Sequence, residues 1–383
     1  MLLFLSAFCA SAKPEKPMKS SETINFSERV DKFWRWFERH SDKMESLNNG
    51  KKRDINKLNN LLAQGVQIIG DDVYYNIGGD NELTFCVEER TECHYLYPWL
   101  VASMPDSLRT KWTVYPCKQP SKPDFGLRIF DRDINVADIK YSAKFDSERR
   151  YFILTCYQPN LVGLSETECV QALYLILELI LGEGVAYNYI GEVYLADNDK
   201  GMTPVDDLSE AVKATVESNG IEYHTEPYMP FYTYQGNPDQ NSKSVRSDII
   251  AGTSRYMALN NDYLNRERNI YDSLAEKGAS AIMLILTQPE GMETNDFLEL
   301  RYKVEDYLTS LFDSSAQKGM LLGGAYGASG LAYIDILLFD ANKFLSDISE
   351  DKNISALLTD ATAEAIQLMF KTFDPDSEVF SLR

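Results

Sequence analysis

Two spacings of apolar residues alternate along this chain of 383 residues. Phe297, Leu300, Val304, Leu308 and Leu311 recur every three or four positions, which puts them on one face of a helix. The stretch 331–339, LAYIDILLF, alternates and is rich in branched side chains, as a strand is. The same reading predicts helices over 27–47, from a capping Asp54 to near Gly65, and near 95–108, 205–218, 260–277 and 354–373. It predicts strands at 112–115, 126–130 and 137–145. A hairpin of 72–77 with 82–88 is turned by Gly78-Gly79-Asp80-Asn81.

Two segments share their punctuation. The runs 152–159 (FILTCYQP) and 284–289 (LILTQP) read as strands that stop at Gln-Pro, because proline supplies no further ladder donor. A polar loop follows each, then a helix. Ser165 and Glu168 have the spacing of a capping box ahead of an apolar helix over 169–181, and Thr294 or Asn295 caps the second helix. Both helices are expected to stop at a glycine, Gly182 and Gly319, in the left-handed position. Strands are expected next, over 185–195 in the first and over 320–322 and 331–339 in the second, ending at Asp197 and Asp340. A duplicated α+β module is the simplest reading. The polar break at 197–201 marks the boundary between domains 22–200 and 201–383.

The stretch 323–330, GGAYGASG, has predicted strand on both sides. A phosphate-cradling loop instead leads a strand into a helix N-terminus, where free N–H groups meet the anion. The stretch also lacks G-x-G-x-x-G, the Gly-Lys-Ser/Thr of a P-loop, and the last glycine of G-x-S-x-G, where Leu331 stands. It is expected to turn the chain as a hairpin or a bulge.

Charge is lopsided: 38 Lys plus Arg face 58 Asp plus Glu, a net −20. Such a surface repels nucleic-acid phosphate and anionic lipid, and a basic protein is the better electrostatic match. The apolar N-terminus ending in Ala10-Ser11-Ala12 resembles a secretory signal without the usual basic start, so 1–21 reads as signal and linker. The periplasm is then the destination, and the cytoplasm otherwise. No later stretch approaches the roughly 20 apolar residues of a spanning helix. Beyond Cys9, the odd count of Cys86, Cys93, Cys117, Cys156 and Cys169 argues against a disulfide framework, with Cys86 and Cys93 at most a pair, and suits a reducing compartment.

Candidate chemistry is sparse. His40, His94 and His224 lie far apart, and Cys86 with Cys93-His94 is only a partial ligand set without zinc spacing. Ser315-Ala316-Gln317-Lys318 matches S-x-x-K but lacks the companion motifs. Glu178, Glu183 and Glu192 could supply a carboxylate pair, though 58 acidic residues make such pairs common. No catalytic, metal or cofactor-binding residue is assigned. Aromatic clusters are the better candidates, as binding surfaces. Phe33, Trp36 and Phe37 share a helix face and read as core, while Trp34 is displaced from it as an exposed anchor or a partly buried ring. The segment 223–234 offers Tyr228, Phe231, Tyr232 and Tyr234 for a partner; packing over the domain's own core is the alternative.

The stretches 32–37 (KFWRWF), 182–184 (GEG) and 189–191 (YIG) resemble a group of bacterial proteins of unknown function that open with an FWxWF helix. The stretches 246–252 (RSDIIAG) and 333–335 (YID) resemble a companion domain, whose layout is similar to the ferredoxin-like regulator of ribonuclease E activity B. The resemblance spans about residues 30–197 and 240–345. It implies two related, ferredoxin-like α+β domains, no known catalytic residues, and a nuclease-binding inhibitor. The expected function is therefore a non-enzymatic binding protein, an inhibitor or immunity-type protein that neutralises a basic toxin or nuclease. The alternative is a hydrolase with paired carboxylates in a cleft between domains.

Overall fold

The computed structural model describes residues 24–50, 53–88, 90–239, 245–359 and 366–382, and the backbone of Ala10–Ser11, strand β1. Its helices with mixed and antiparallel sheets make an α+β fold. The rest of the expected signal and linker lies outside the described residues. The chain divides into two compact units: Met1–Ala12, Ser41–Leu61 and Asp72–Pro230 form unit 1, and Lys13–His40, Leu62–Asp71 and Phe231–Arg383 form unit 2. Helices α1 (Phe26–Asn49) and α2 (Ile55–Val66) are thus divided between them. The amide of Lys57 donates to the Asp54 carboxylate, the expected cap of α2.

Unit 1 holds two four-stranded sheets and a two-stranded ribbon. In the first sheet β2 (Tyr74–Ile77) and β3 (Glu82–Cys86) form the expected hairpin. Asp80 and Asn81 take φ of 54° and 60°, and the Asn81 side chain secures the turn by donating to the Lys111 carbonyl. Helices α3 (Cys93–Ala102) and α4 (Asp106–Arg109) carry the chain to β4 (Thr113–Tyr115), parallel to β3. The ribbon is β5 (Gly126–Ile129) with β6 (Arg132–Asn135).

The second sheet pairs β7 (Lys140–Asp146) with β8 (Tyr151–Tyr157). Helix α5 (Glu166–Leu181) opens with both bonds of the Ser165–Glu168 capping box. At Gly182 φ is +82°, and a short helix α6 (Glu183–Tyr189) follows where the apolar run at 185–189 suggested strand. Strand β9 (Ile190–Leu195) then lies parallel to β8, and β10 (Thr203–Pro204) borders β7. Helix α7 (Leu208–Ser218) completes the core, in which Leu154 and Cys156 of β8 meet Leu173, Ile176 and Leu177 of α5 and Val212 of α7.

Unit 2 is built on one seven-stranded sheet, β11-β12-β14-β15-β13-β16-β17, antiparallel throughout. Its strands are β11 (Tyr232–Gln235), β12 (Ile249–Ser254), β13 (Ser280–Thr287), β14 (Gly319–Gly327), β15 (Leu331–Leu338), β16 (Leu368–Thr372) and β17 (Phe380–Ser381). The helices are α8 (Met257–Leu264), α9 (Asn269–Glu276), α10 (Thr294–Asp313), α11 (Ala341–Glu350) and α12 (Lys352–Thr359). From β13 to β16 the chain runs β-α-β-β-α-α-β, and β15 enters between β13 and β14, a split β-α-β connection. No strand enters between β8 and β9 of unit 1.

Several expected elements differ. The helix expected over 260–277 is two helices, α8 and α9, parted by Asn265–Arg268, with Arg266 at φ 59°. The helix expected over 354–373 is α12 and then strand β16, because Leu368–Thr372 finds a partner in β13, far away in sequence. Gly319 does not end α10. Ser315 takes the left-handed position, at φ 59°, and Gly319 opens β14, where a Cβ would meet the Leu337 carbonyl at 2.5 Å. Helix α11, capped by the Asp340 side chain, was not expected.

Candidate functional site

The glycine-rich stretch is the end of β14 and its turn into β15. Pairing shifts register between Leu321 and Gly323, a bulge, with φ of +149° at Gly323 and +72° in the turn at Gly330. These glycines also make room for acids. A Cβ on Gly324 would stand 2.3 Å from Glu305 Oε1, and one on Gly327 would stand 2.0 Å from Asp248 Oδ2. Side chains alternate between faces along a strand, so the two carboxylates approach β14 from opposite sides.

One face, shared by Tyr333 and Asp335 of β15, carries a closed polar cluster. Arg246 has a fully buried side chain that donates to Asp335 Oδ1 at 2.5 Å, to the Tyr234 hydroxyl at 2.7 Å and to Asn260 Oδ1 at 3.2 Å. Its guanidinium lies 5.5 Å from the centre of the Tyr333 ring and 5.4 Å from that of Phe373. The Tyr333 hydroxyl donates to Asp248 Oδ1 at 2.7 Å and accepts the Arg246 main-chain amide at 3.2 Å. Burial alone would lower the Arg246 pKa, but Asp335 outweighs it and the guanidinium is held charged. The cluster ties the 246–248 segment to β15. Its charged groups are paired with one another, although Arg246 Nε, Asp335 Oδ2 and Asn260 Nδ2 are buried without a hydrogen-bond partner, and it reads as a structural lock.

The other face carries a cavity of about 660 Å³. Strands β11 and β12 extend the sheet past the main helical cover, and small side chains at Thr233, Ala251 and Thr253 make the floor. Leu298, Arg301 and Tyr302 of α10 form one wall, with Tyr326 and Ile250 beside them. Arg301 is 5 % exposed, and Tyr302 and Ile250 are open to solvent. Among the described residues the only carboxylate in ion-pair range of Arg301 is Glu305, Nε to Oε1 at 3.2 Å. That contact is too poorly aligned to be a hydrogen bond, so both atoms stay unsatisfied. Burial pushes the Glu305 carboxyl up to about 7, with Arg301 opposing and Asp335 adding to the rise.

Unit 1 has its own buried charge cluster. Lys118, with a side chain 8 % exposed, faces Glu178 at 3.0 Å, Glu88 at 3.2 Å and Glu183 at 3.9 Å, and its amide donates to Glu183 Oε2 at 3.0 Å. Burial opposes the ammonium, but the three carboxylates overcome it and keep Lys118 protonated. A lysine so held is a counter-ion and not a nucleophile. Glu178 and Glu183 are thus brought together, on a cation and not as an acid–base pair. Glu192 stands apart, accepting from the hydroxyls of Tyr151 and Tyr194.

The remaining candidates distribute as follows. Trp34 is 2 % exposed, with its indole edge-on to Phe33 and Phe37. It presents no surface to a partner, because the helix is covered on more than the face its spacing marks. Tyr228 is half-buried in unit 1. Phe231 is 37 % exposed, with the Arg255 guanidinium 4.2 Å from its ring centre. Tyr232 and Tyr234 are half-buried on β11, and Tyr234 belongs to the Arg246 cluster. Lys318 donates to Ser27 and not to Ser315. His94 is buried against the Tyr187 ring, and burial with the nearby Lys118 drives its pKa down to about 3. Among the described residues no group of three or more His, Cys, Asp and Glu could hold a metal, and Cys86 and Cys93 form no disulfide. No single described helix is long and apolar enough to cross a membrane.

Sequence reasoning missed Arg301, Glu305 and Lys118. A signal existed for the first two: they fall at positions 297+4 and 301+4 of the apolar stripe of α10, where a charge is driven into the interior. Comparisons with protein-family models, with curated proteins and with solved structures found no match.

Proposed function

We propose that this chain is a non-enzymatic binding protein that takes an extended segment of a protein partner onto the outer edge of β11. The observation that carries the reading is that β11 is the terminal strand of its sheet among the described residues, with Thr233 and Gln235 exposed. Gly236 donates to the Ile250 carbonyl, so alternation along an antiparallel pair turns the amides of Thr233 and Gln235 outward. An edge of that kind accepts one more strand through main-chain bonds. Phe231 and Tyr232 lie at its start as aromatic contacts. The net charge of −20 favours a basic partner, and the resemblance of 246–252 and 333–335 favours a nuclease or toxin that the protein neutralises. The shared punctuation of 152–197 and 284–340 supports a duplicated module beneath the two units.

Gln235→Pro tests the reading, since proline removes one outward donor while sparing the β11–β12 bonds. Affinity capture from the native host at low salt should recover a basic protein with the wild type. Binding should fall at least tenfold with the variant and weaken steeply as salt rises. Recovery of no partner, or of the same partner equally by both proteins, overturns the proposal.

A further inference from the structure

The cavity on the helical face of unit 2 adjoins the β11 edge and shares Thr233 and Gln235 with it, but its chemistry points to a different kind of ligand. Arg301 is 95 % removed from solvent yet lines an open space, and its guanidinium makes no hydrogen bond to any described residue. A buried guanidinium left in that state is costly unless an acceptor arrives. The neighbouring Glu305 is held over Gly324, misaligned with Arg301, so it screens the cation without satisfying its planar donor fork. The rest of the wall is apolar or aromatic: Leu298, Tyr302, Tyr326 and Ile250. A volume of about 660 Å³ suits a small organic molecule.

We propose that this cavity binds a small aromatic carboxylate, whose carboxylate pairs with Arg301 while its ring lies against Tyr302, Tyr326 and Leu298. A monoanion fits better than a phosphate dianion. A single guanidinium is present, a carboxyl group stands 3.2 Å from it, and the whole protein carries a net −20.

Glu305 makes binding depend on pH. The charged and titratable groups around it are Arg301 and Asp306 on its own helix and Asp335 on β15, while Tyr234 of β11 is coupled to Arg301. An ionised Glu305 competes with the ligand for Arg301, and a protonated one does not. Its carboxyl titrates at about 7, so the ligand is bound with uptake of a proton and more tightly at pH 6 than at pH 8.

The test is calorimetric titration of the full chain with 3-phenylpropionate, its neutral amide as a matched control, and inorganic phosphate. The acid should bind at pH 6, at least tenfold more tightly than the amide or phosphate, and about tenfold more weakly at pH 8. Glu305→Gln should keep the acid bound and flatten the pH dependence. Arg301→Gln should abolish the preference for acid over amide, and circular dichroism establishes that it folds. If Arg301→Gln is unfolded, the amide control and Glu305→Gln still decide. Equal binding of acid and amide, tighter binding of phosphate, no binding of the acid at 10 mM, or an unchanged pH profile in Glu305→Gln overturns the assignment.

Discussion

The segment from β8 to β9 and the segment from β13 to β14 begin alike and part at the end of the helix. Each strand stops at Gln-Pro, and each glutamine holds the loop that follows. Gln158 accepts the Asn160 amide, and Gln288 donates to the Met292 carbonyl while accepting the Tyr326 hydroxyl. In unit 1 the helix turns at Gly182 into α6 and a strand parallel to its starting strand. In unit 2 it returns into β14, whose Gly319 and Gly324 lie against α10, and β15 slips into the gap. The difference decides where charge is buried. Helix α10 sets Arg301 and Glu305 against a strand bare of side chains at Gly324. Helix α5, lying on the apolar side chains of β8, keeps Glu178 for its last turn, where with Glu183 it meets Lys118.

The largest effect should come from testing how many partners each buried cation has. Arg246 has one carboxylate partner, Asp335, among the described residues, whereas Lys118 has three. Asp335→Ala strands a buried guanidinium and should cost unit 2 about 3–5 kcal/mol in urea denaturation. Glu178→Ala leaves Lys118 two carboxylates and should cost unit 1 about 1 kcal/mol. Equal losses would end the contrast between one-partner and three-partner burial. Next in size is Gly324→Ala, whose Cβ would lie 2.3 Å from Glu305 Oε1 and 2.7 Å from the Tyr333 carbonyl. A backbone neighbour cannot step aside, so a loss of about 2–3 kcal/mol is expected. A neutral Gly324→Ala would show that the strand need not be bare.

The smallest effect is on the pH profile. The folded pKa of Glu305, about 7, lies above the ordinary 4.5, so the native state holds more protons than the unfolded chain between those values. Stability should therefore fall as pH rises through this window and be recovered on acidification to pH 5. Glu305→Gln should remove that slope, gaining about 1–2 kcal/mol at pH 8 relative to pH 5. An identical slope in wild type and variant would place the titration elsewhere.

Local signals in the sequence were legible where a few neighbouring residues settle the outcome. The Ser165–Glu168 box and the Asp54 cap need only the residues beside them, and the 323–330 turn needs only its glycines. Long-range partners were not legible. Strand β16 looked helical because its partner β13 lies about 85 positions upstream, and α6 looked like strand because burial makes both apolar. The cavity was hidden for the same reason. Its floor comes from β11 and β12 and its wall from α10, while the stripe of α10 was read for its leucines and not for the two charges set among them.

The described cysteines, Cys86, Cys93, Cys117, Cys156 and Cys169, all fall in unit 1, and all are buried outside any disulfide. Burial raises the thiols of Cys117 and Cys156 to about 12, far from the reactive thiolate. At these five a maleimide or disulfide reagent will thus meet silence until unit 1 opens, so with Cys9 replaced by serine the rate of labelling becomes a clock for that event alone. The molecule carries a one-sided reporter, with which the breathing of one half can be timed while the other goes unseen.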